Sequence, residues 1–296
     1  MYHKQRQIKK LTTYIPAAET FRALASEQDC VFLDSSLVND LGRFSIIGAC
    51  PYLKLVKDGE KFFINEKEET GITFEDYLRN YLRDHVDQNE SELPLVSGAV
   101  GYFSYDYGRK LQGVPSGEKA LVKIPDAVLT FYDVYLIEDC HQKETYLVAN
   151  GITADASEKI QEMEQKIRQR TERKEEQKVP HNIIVTPNFE KEEYKKAVDD
   201  MIHYIIEGDI YITNMTQQLT IESDKAPLDV FYDLRKNNPS PFGGYMDHGD
   251  FQIVCASPER FQDEKRSRQH KTDQRYTKKR RDSGRRPSDA YRTGKL

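Results

Sequence analysis

Ala127-Val-Leu-Thr-Phe-Tyr-Asp-Val-Tyr-Leu-Ile-Glu-Asp-Cys-His-Gln-Lys-Glu-Thr-Tyr-Leu-Val148 sets two β-branched and aromatic runs either side of a short polar break. Such a pattern predicts a long hairpin turning near residues 139–143. Upstream, residues 52–65 repeat the design: Leu53, Leu55, Phe62 and Ile64 alternate around Asp58-Gly59, a pair that accepts positive φ. Between and before these hairpins lie segments of helical period. Phe21, Leu24 and Ala25 mark a helix within 16–29. Phe74, Tyr77, Leu78, Tyr81 and Leu82 mark another over 73–86, with Thr73 as its N-cap and Asp76 in the first turn. Short apolar runs at 30–33, 44–47 and 98–105 read as strands, the last small enough for close backbone contact. Hairpins mixed with helices, without a regular βαβ repeat, predict an α+β fold.

The second half changes character. Residues 155–178 carry only one narrow apolar stripe, Ile160, Met163 and Ile167, and end in a run of charge, which reads as a solvated helix and a linker. Asn188 is placed to cap a helix with Tyr194, Val198, Met201, Ile202, Ile205 and Ile206 on its apolar face, stopped by Gly208. A strand over 210–221, a helix over 228–236, a proline-rich turn at 238–241 and strands at 244–246 and 251–256 follow.

With 296 residues and a net charge of -5, the chain suits two domains. No stretch approaches the ~18–20 unbroken apolar residues of a membrane span. The basic, polar residues 1–10 have no apolar core behind them, which argues against a secretory signal. Cys30, Cys50, Cys140 and Cys255 show neither metal-ligand nor redox spacing, as expected of a protein in the reducing cytoplasm. The charge is unevenly spread. Residues 262–296 hold 13 Lys or Arg against 5 Asp or Glu, a net of +8, whereas residues 1–261 carry a net of -13. With only Tyr276, Ala290, Tyr291 and Leu296 as hydrophobic residues, the tail supplies no core face. Nonspecific, salt-dependent attraction to phosphate is the ceiling for it, and no specific nucleic-acid reader is expected.

Standard signatures for nucleotides, metals or nucleophilic serines are absent. In Ile210-Tyr-Ile-Thr-Asn-Met-Thr-Gln-Gln218 the face Ile210, Ile212, Asn214, Thr216, Gln218 turns from apolar to amide and hydroxyl, so it either meets solvent or lines a polar pocket. Glu259, at the end of an apolar run, is a candidate general acid or base, or else the partner of a nearby arginine.

Phe32-Leu-Asp-Ser35, Gly42-Arg-Phe-Ser-Ile-Ile-Gly48, Gly98-Ala-Val-Gly-Tyr-Phe-Ser-Tyr-Asp106, Glu207-Gly-Asp-Ile-Tyr211 with Asn214 and Gln217, Asn238-Pro-Ser-Pro-Phe242 and Ser257-Pro-Glu-Arg-Phe261 together resemble component I of the chorismate-utilising synthases, the anthranilate and aminodeoxychorismate synthases. The resemblance implies a two-lobed antiparallel β-sandwich with outer helices, its second lobe incomplete. It divides the chain into a regulatory or structural lobe (1–154), a charged helix and linker (155–187), the start of the chorismate-binding domain (188–261) and a basic, disordered tail (262–296). It implies chorismate as substrate, a glutamine amidotransferase subunit as partner and no membrane. A tryptophan-like ligand would be held by Ser35, Pro241 and Phe242. Asn214 and Gln217 would lie on a polar strand of the substrate domain, Asn214 closer to the aminodeoxychorismate branch. Glu259 matches that branch's acid/base at chorismate C4.

The family continues past 261 into a Pro-Ile-Lys/Ala-Gly-Thr motif and the segments that carry its Mg²⁺ carboxylates. None of these stands in this sequence. Read one base later, the codons of the tail allow Thr-Arg-Pro-Ile-Lys-Gly-Thr, so the tail is expected to be out-of-frame translation after a one-base insertion near the Phe261 codon. The concealed lysine again points to the aminodeoxychorismate branch. A chain without Mg²⁺ ligands or that nucleophile is expected to be inactive, a truncated component I whose exposed strand edges favour aggregation. The alternatives are anthranilate synthase component I, or a non-catalytic remnant that still binds a ligand.

Overall fold

The computed structural model describes residues 6–25, 29–115, 122–170 and 183–260. Its elements run β1 (Gln7–Lys10), α1 (Ala17–Leu24), β2 (Val31–Asp34), β3 (Phe44–Asp58), β4 (Lys61–Ile64), β5 (Lys67–Glu69), α2 (Phe74–Asp84), β6 (Ala99–Phe103), α3 (Tyr105–Leu111), β7 (Ala127–Asp139), β8 (Glu144–Ala149), α4 (Ala156–Arg170), β9 (Ile183–Pro187), α5 (Lys191–Glu207), β10 (Leu219–Ser223), α6 (Pro227–Asn237), β11 (Phe242–Asp247) and β12 (Gln252–Ser257).

β7 is the hub. Val134 and Leu136 face a core built with Phe21, Phe32, Met163 and Phe231. Tyr135 and Ile137 point the other way, toward Leu93, Val96 and Val100. Burial on both faces explains why this strand reads as an almost unbroken apolar run. The sheet runs β1-β8-β7-β3-β2-β11-β12, with β6 also on β7 and β4–β5 on β3. Its ladders are all antiparallel. The α+β, antiparallel expectation holds.

Strands expected separately at 44–47 and 52–58 are one 15-residue strand, β3. It pairs with β7 from Phe44↔Asp139 to Lys57↔Ala127. The small residues Gly48-Ala-Cys-Pro51 between them mark a bulge: Cys50 has φ 56°, and the register shifts between Pro51 and Leu53. The 98–105 run ends sooner than expected. Ser104 Oγ accepts the Tyr107 N–H at 3.0 Å and opens α3. Gly101 is where β6 presses on β7, since a Cβ there would lie 1.9 Å from the Val128 carbonyl oxygen. As expected, Thr73 Oγ1 caps α2 by accepting the Asp76 N–H at 3.1 Å.

α4 is less solvated than its composition suggests. Ile160, Met163 and Ile167 are buried with Ala156 against the α1 side of the core. Three residues on one stripe suffice because the contact is narrow. α6 packs on that same side, where Phe21, Phe32, Phe231 and Tyr245 meet with ring centroids 5.0–5.8 Å apart. β11 pairs with β2, placing Gly244 opposite Leu33. The sheet thus draws strands from both sides of 155–187.

Residues 183–223 are organised differently. β9, inside the expected linker, pairs with β10 in a separate two-stranded sheet, and α5 lies between them in sequence. The expected strand over 210–221 shrinks to Leu219–Ser223, with 210–218 irregular. Asn188 does not cap α5. Its Oδ1 accepts the Gln218 N–H at 2.8 Å instead, and the cap is Glu190, whose N–H donates to Glu193 Oε2. Gly208 ends α5 at φ 86°, as expected. Among the described residues no helix is long and apolar enough to cross a membrane, and none of the four cysteines is in a disulfide. The basic tail 262–296, Phe261 and the charged stretch 171–182 lie outside the described residues.

Candidate functional site

Four of the quoted motifs, drawn from both ends of the described chain, converge where β2 ends. Antiparallel pairing sets the end of β2, the start of β11 and the end of β12 side by side: Asp34 faces Gly243, and Phe242 faces Ser257. Ser35 is buried beyond the last pair. Its Oγ lies 2.8 Å from the Phe44 carbonyl and 3.0 Å from the Pro241 carbonyl, two acceptors for one proton. Its N–H donates to Ser45 Oγ at 3.0 Å. The Asn238–Pro241 turn is also tied by the Leu37 N–H to the Ser240 carbonyl (3.0 Å) and by the Ser240 N–H to Ser36 Oγ (2.9 Å). Gly42 makes that closure possible. A Cβ there would lie 2.4 Å from the Leu37 carbonyl and 3.0 Å from Pro241 Cα.

Under the loop sits a buried charge that the motif reading passed over. Asp34, 1% exposed, accepts from Arg235 Nε on α6 at 2.8 Å, with Ser45 Oγ at 3.4 Å. Burial pushes its carboxyl above the usual carboxylate range, and the Arg235 charge and hydrogen bond pull it part of the way back. Asp34 stands inside the Phe32–Ser35 motif without a role of its own there, and nothing in the spacing of Arg235 pointed 201 residues back. The neighbouring Ser240 hydroxyl is buried without a hydrogen-bond partner among the described residues.

The remaining expected site residues divide. Glu259 is exposed two residues past β12, near the Phe242↔Ser257 end of the ladder. Its N–H donates to Ser257 Oγ at 3.3 Å, a turn that orients the backbone and leaves the carboxylate toward solvent. Asn214 and Gln217 stand exposed in the irregular 210–218 segment, not on a strand, because β10 begins only at Leu219. An open cleft of about 680 Å³ lies elsewhere, between the β4–β5 hairpin and helices α2 and α3. It is lined by Lys57, Glu75, Tyr107, Lys110 and Asp126 and by none of the motif residues. Among the described residues, no three His, Cys, Asp or Glu side chains come together as a metal ion requires. The described residues therefore do not fit Mg²⁺.

At the other end of the β11–β12 hairpin, His248 packs against Tyr102 and Phe251 (centroids 5.7 and 5.0 Å), its ring nitrogens without hydrogen-bond partners among the described residues. Burial drives its pKa down to about 4. The Lys54 charge adds to this, and Asp29 and Asp247 oppose it. Between that value and the unfolded value near ~6.5, only the unfolded chain takes up the proton. Stability therefore falls as pH drops through this window, by at most ~1.4 kcal/mol per unit. His248→Phe is expected to flatten the loss. Urea unfolding at pH 7, 6 and 5 checks it, and identical pH slopes for both proteins would refute the assignment.

A family model described as chorismate binding enzyme matches residues 35–272. The chain belongs to the chorismate-binding enzyme family. The match begins at Ser35 and so takes in most of the β2–β8 region and continues to residue 272. Among curated members, anthranilate synthase component 1 of Acetivibrio thermocellus is 26% identical over 254 residues, covering 79% of this chain and 51% of that protein. Aminodeoxychorismate synthase component 1 of Bacillus subtilis (strain 168) is 24% identical over 234 residues, 74% of this chain and 48% of the relative. The crystal structure of anthranilate synthase component I from Streptococcus pneumoniae TIGR4 superposes with a TM-score of 0.62 at 22% identity, over 75% of this chain and 52% of that one, and supports the fold. This member of the chorismate-binding enzyme family spans about half the length of the relatives it matches.

Proposed function

We propose that the chain carries the first half of a component I synthase of the aminodeoxychorismate branch. Such an enzyme converts chorismate and ammonia, delivered by a glutamine amidotransferase partner, to 4-amino-4-deoxychorismate for 4-aminobenzoate and folate supply. The observation that carries this reading is the family match together with the position of Glu259. That carboxylate follows β12 directly, at the sheet end where the family motifs around Ser35 and Pro241 interlock. There Glu259 exchanges a proton with the departing group at chorismate C4, as a general acid or base. The metal carboxylates and the nucleophile belong to the half of the family's length that this chain does not match, so the chain alone is proposed to be inactive.

The loop at Ser35 and Pro241 is the proposed seat of a tryptophan-like ligand. The Ser35 proton is engaged by backbone carbonyls, so a ligand there meets its lone pairs. The buried Ser240 hydroxyl is the polar group still open to it. Anthranilate synthesis is the second reading, favoured by relatives of that name at comparable identity.

The test joins residues 1–260 to the second half of the Bacillus subtilis relative and follows chorismate with ammonium by mass spectrometry. Aminodeoxychorismate is the expected product. Faster turnover in the matching fusion to the second half of the Acetivibrio thermocellus relative would overturn the branch, and folded fusions yielding no product would overturn the enzyme reading. Glu259→Gln in that fusion is expected to lower kcat by about 10²–10⁴ with the fold intact. An unchanged kcat would remove Glu259 from the chemistry.

A further inference from the structure

The open cleft of about 680 Å³ beside the β4–β5 hairpin is not used by the reaction assigned to Glu259. Strand alternation explains how it forms. Leu53 and Leu55 of β3 face the core that holds Phe62 and Phe74, and Lys57 follows on the same face, paired with Phe62, where that core gives way to the cleft. Phe62 and Phe74 are only 3% and 1% exposed and back the wall. Phe74 meets the half-buried Tyr107 ring edge-on, with centroids 6.3 Å apart. Ile72, Tyr107 and Leu111 are the apolar surface left open to a ligand.

The charged lining is unbalanced. Lys110 Nζ lies 2.7 Å from Asp126 Oδ1, and Lys61 Nζ 3.4 Å from Glu68 Oε2. Lys57 Nζ stands 3.5 Å from Glu75 Oε1, the oxygen that already accepts the Tyr107 hydroxyl at 3.1 Å. Burial and that hydrogen bond push the Tyr107 hydroxyl up to about 12, so it stays a donor at neutral pH. Glu75 Oε2 has no hydrogen-bond partner among the described residues, and Glu60 and Glu69 have no cation beside them there. Three ammonium groups thus face five carboxylates. The surrounding surface has the same sign, since residues 58–76 hold seven Asp or Glu and two Lys.

An anion would enter against this field, with each lysine already beside a carboxylate. A bare divalent ion needs a cluster of ligands that the described residues do not form. What fits is positive charge on a methylene stem. The stem covers Ile72, Tyr107 and Leu111, and ammonium or guanidinium groups reach Glu75 Oε2 and Glu69. We propose that this cleft binds a multivalent aliphatic cation, either a free polyamine or the basic side chains of a peptide. Its volume is of the size that small ligands occupy. The inference does not depend on which reaction the family assignment brings to this chain.

Calorimetric titration of the full 296-residue chain at low salt tests it, with spermidine and acetyl-Lys-Leu-Lys-amide as separate probes. Saturable one-to-one binding is expected. Glu75→Gln is expected to weaken it about 10–100-fold, the range for losing a charged hydrogen bond. Glu69→Gln, on the partly exposed end of β5, is expected to weaken it about threefold or more and serves if the first variant unfolds. Glu66→Gln makes the same charge change at the exposed turn outside the cleft and is expected to leave affinity within about twofold. Tighter binding of spermidine assigns a free polyamine, and tighter binding of the peptide assigns a basic segment of a partner protein. Three outcomes overturn the proposal: no saturable binding of either probe, equal losses from Glu66→Gln and Glu75→Gln, or full displacement by equimolar MgCl₂, which would show that bare charge suffices.

Discussion

Gly101→Ala is expected to remove about 3 kcal/mol or more of stability and to lower Tm by roughly 10 °C, because it overpacks backbone against backbone. A methyl group at this position would meet the Val128 carbonyl oxygen at 1.9 Å, its carbon at 2.8 Å and Leu129 Cα at 3.0 Å. None of these is the tip of a side chain that could swing aside. Gly101 is paired with Leu129, and the strand it would displace also carries the ladders to β3 and β8. Relief comes only by peeling β6 away or bending β7, and either opens the core around Tyr135. Thermal unfolding by circular dichroism decides the matter. A Tm within a degree or two of the parent would show that the close approach is not a constraint.

Arg235→Leu is expected to destabilise the chain by about 2–4 kcal/mol, the range for breaking a buried ion pair, lowered because Arg235 itself is one-third exposed. The substitution leaves Asp34 with Ser45 Oγ at 3.4 Å as its remaining side-chain donor. Its carboxyl, already raised by burial, then loses the charge that drew it back. Adding Asp34→Asn should recover most of the loss, since the stranded charge and not the missing contact dominates. Urea denaturation of the two single variants and the double variant completes the cycle. A double variant as unstable as Arg235→Leu alone would show that Arg235 acts through packing.

Where backbone physics is local, the sequence was legible. The hairpin at 127–148, the Asp58-Gly59 turn, the Thr73 cap and the Gly208 stop each depend on a few adjacent residues, and all stand as read. Elements failed where the deciding partner is distant or weak. β1 is an edge strand of exposed side chains with no apolar signature, whereas β9, β-branched at Ile183, Ile184 and Val185, lies directly behind a charged run that reads as a linker. The 210–218 segment alternates like a strand but has no ladder to join. At the candidate site, the motifs located Ser35, Pro241, Phe242 and Glu259, whereas the Asp34–Arg235 pair that anchors α6 beneath them left no local trace. Asn214 and Gln217 mark the opposite limit, since a motif fixes identity but not whether the surrounding surface is assembled.

The interlock of Ser35 with Pro241 joins positions 206 apart in the chain, and the β2–β11 ladder beside it spans a similar stretch. During synthesis at about 5–20 residues per second, β2 must wait on the order of 10–40 s for β11 to emerge from the ribosome. Through that interval β3 can already hold one side of β2, while the other side presents unpaired amides and carbonyls to solvent. The nascent chain's exposure to chaperones and to mispairing is therefore governed by this late closure, the slowest loop its topology demands.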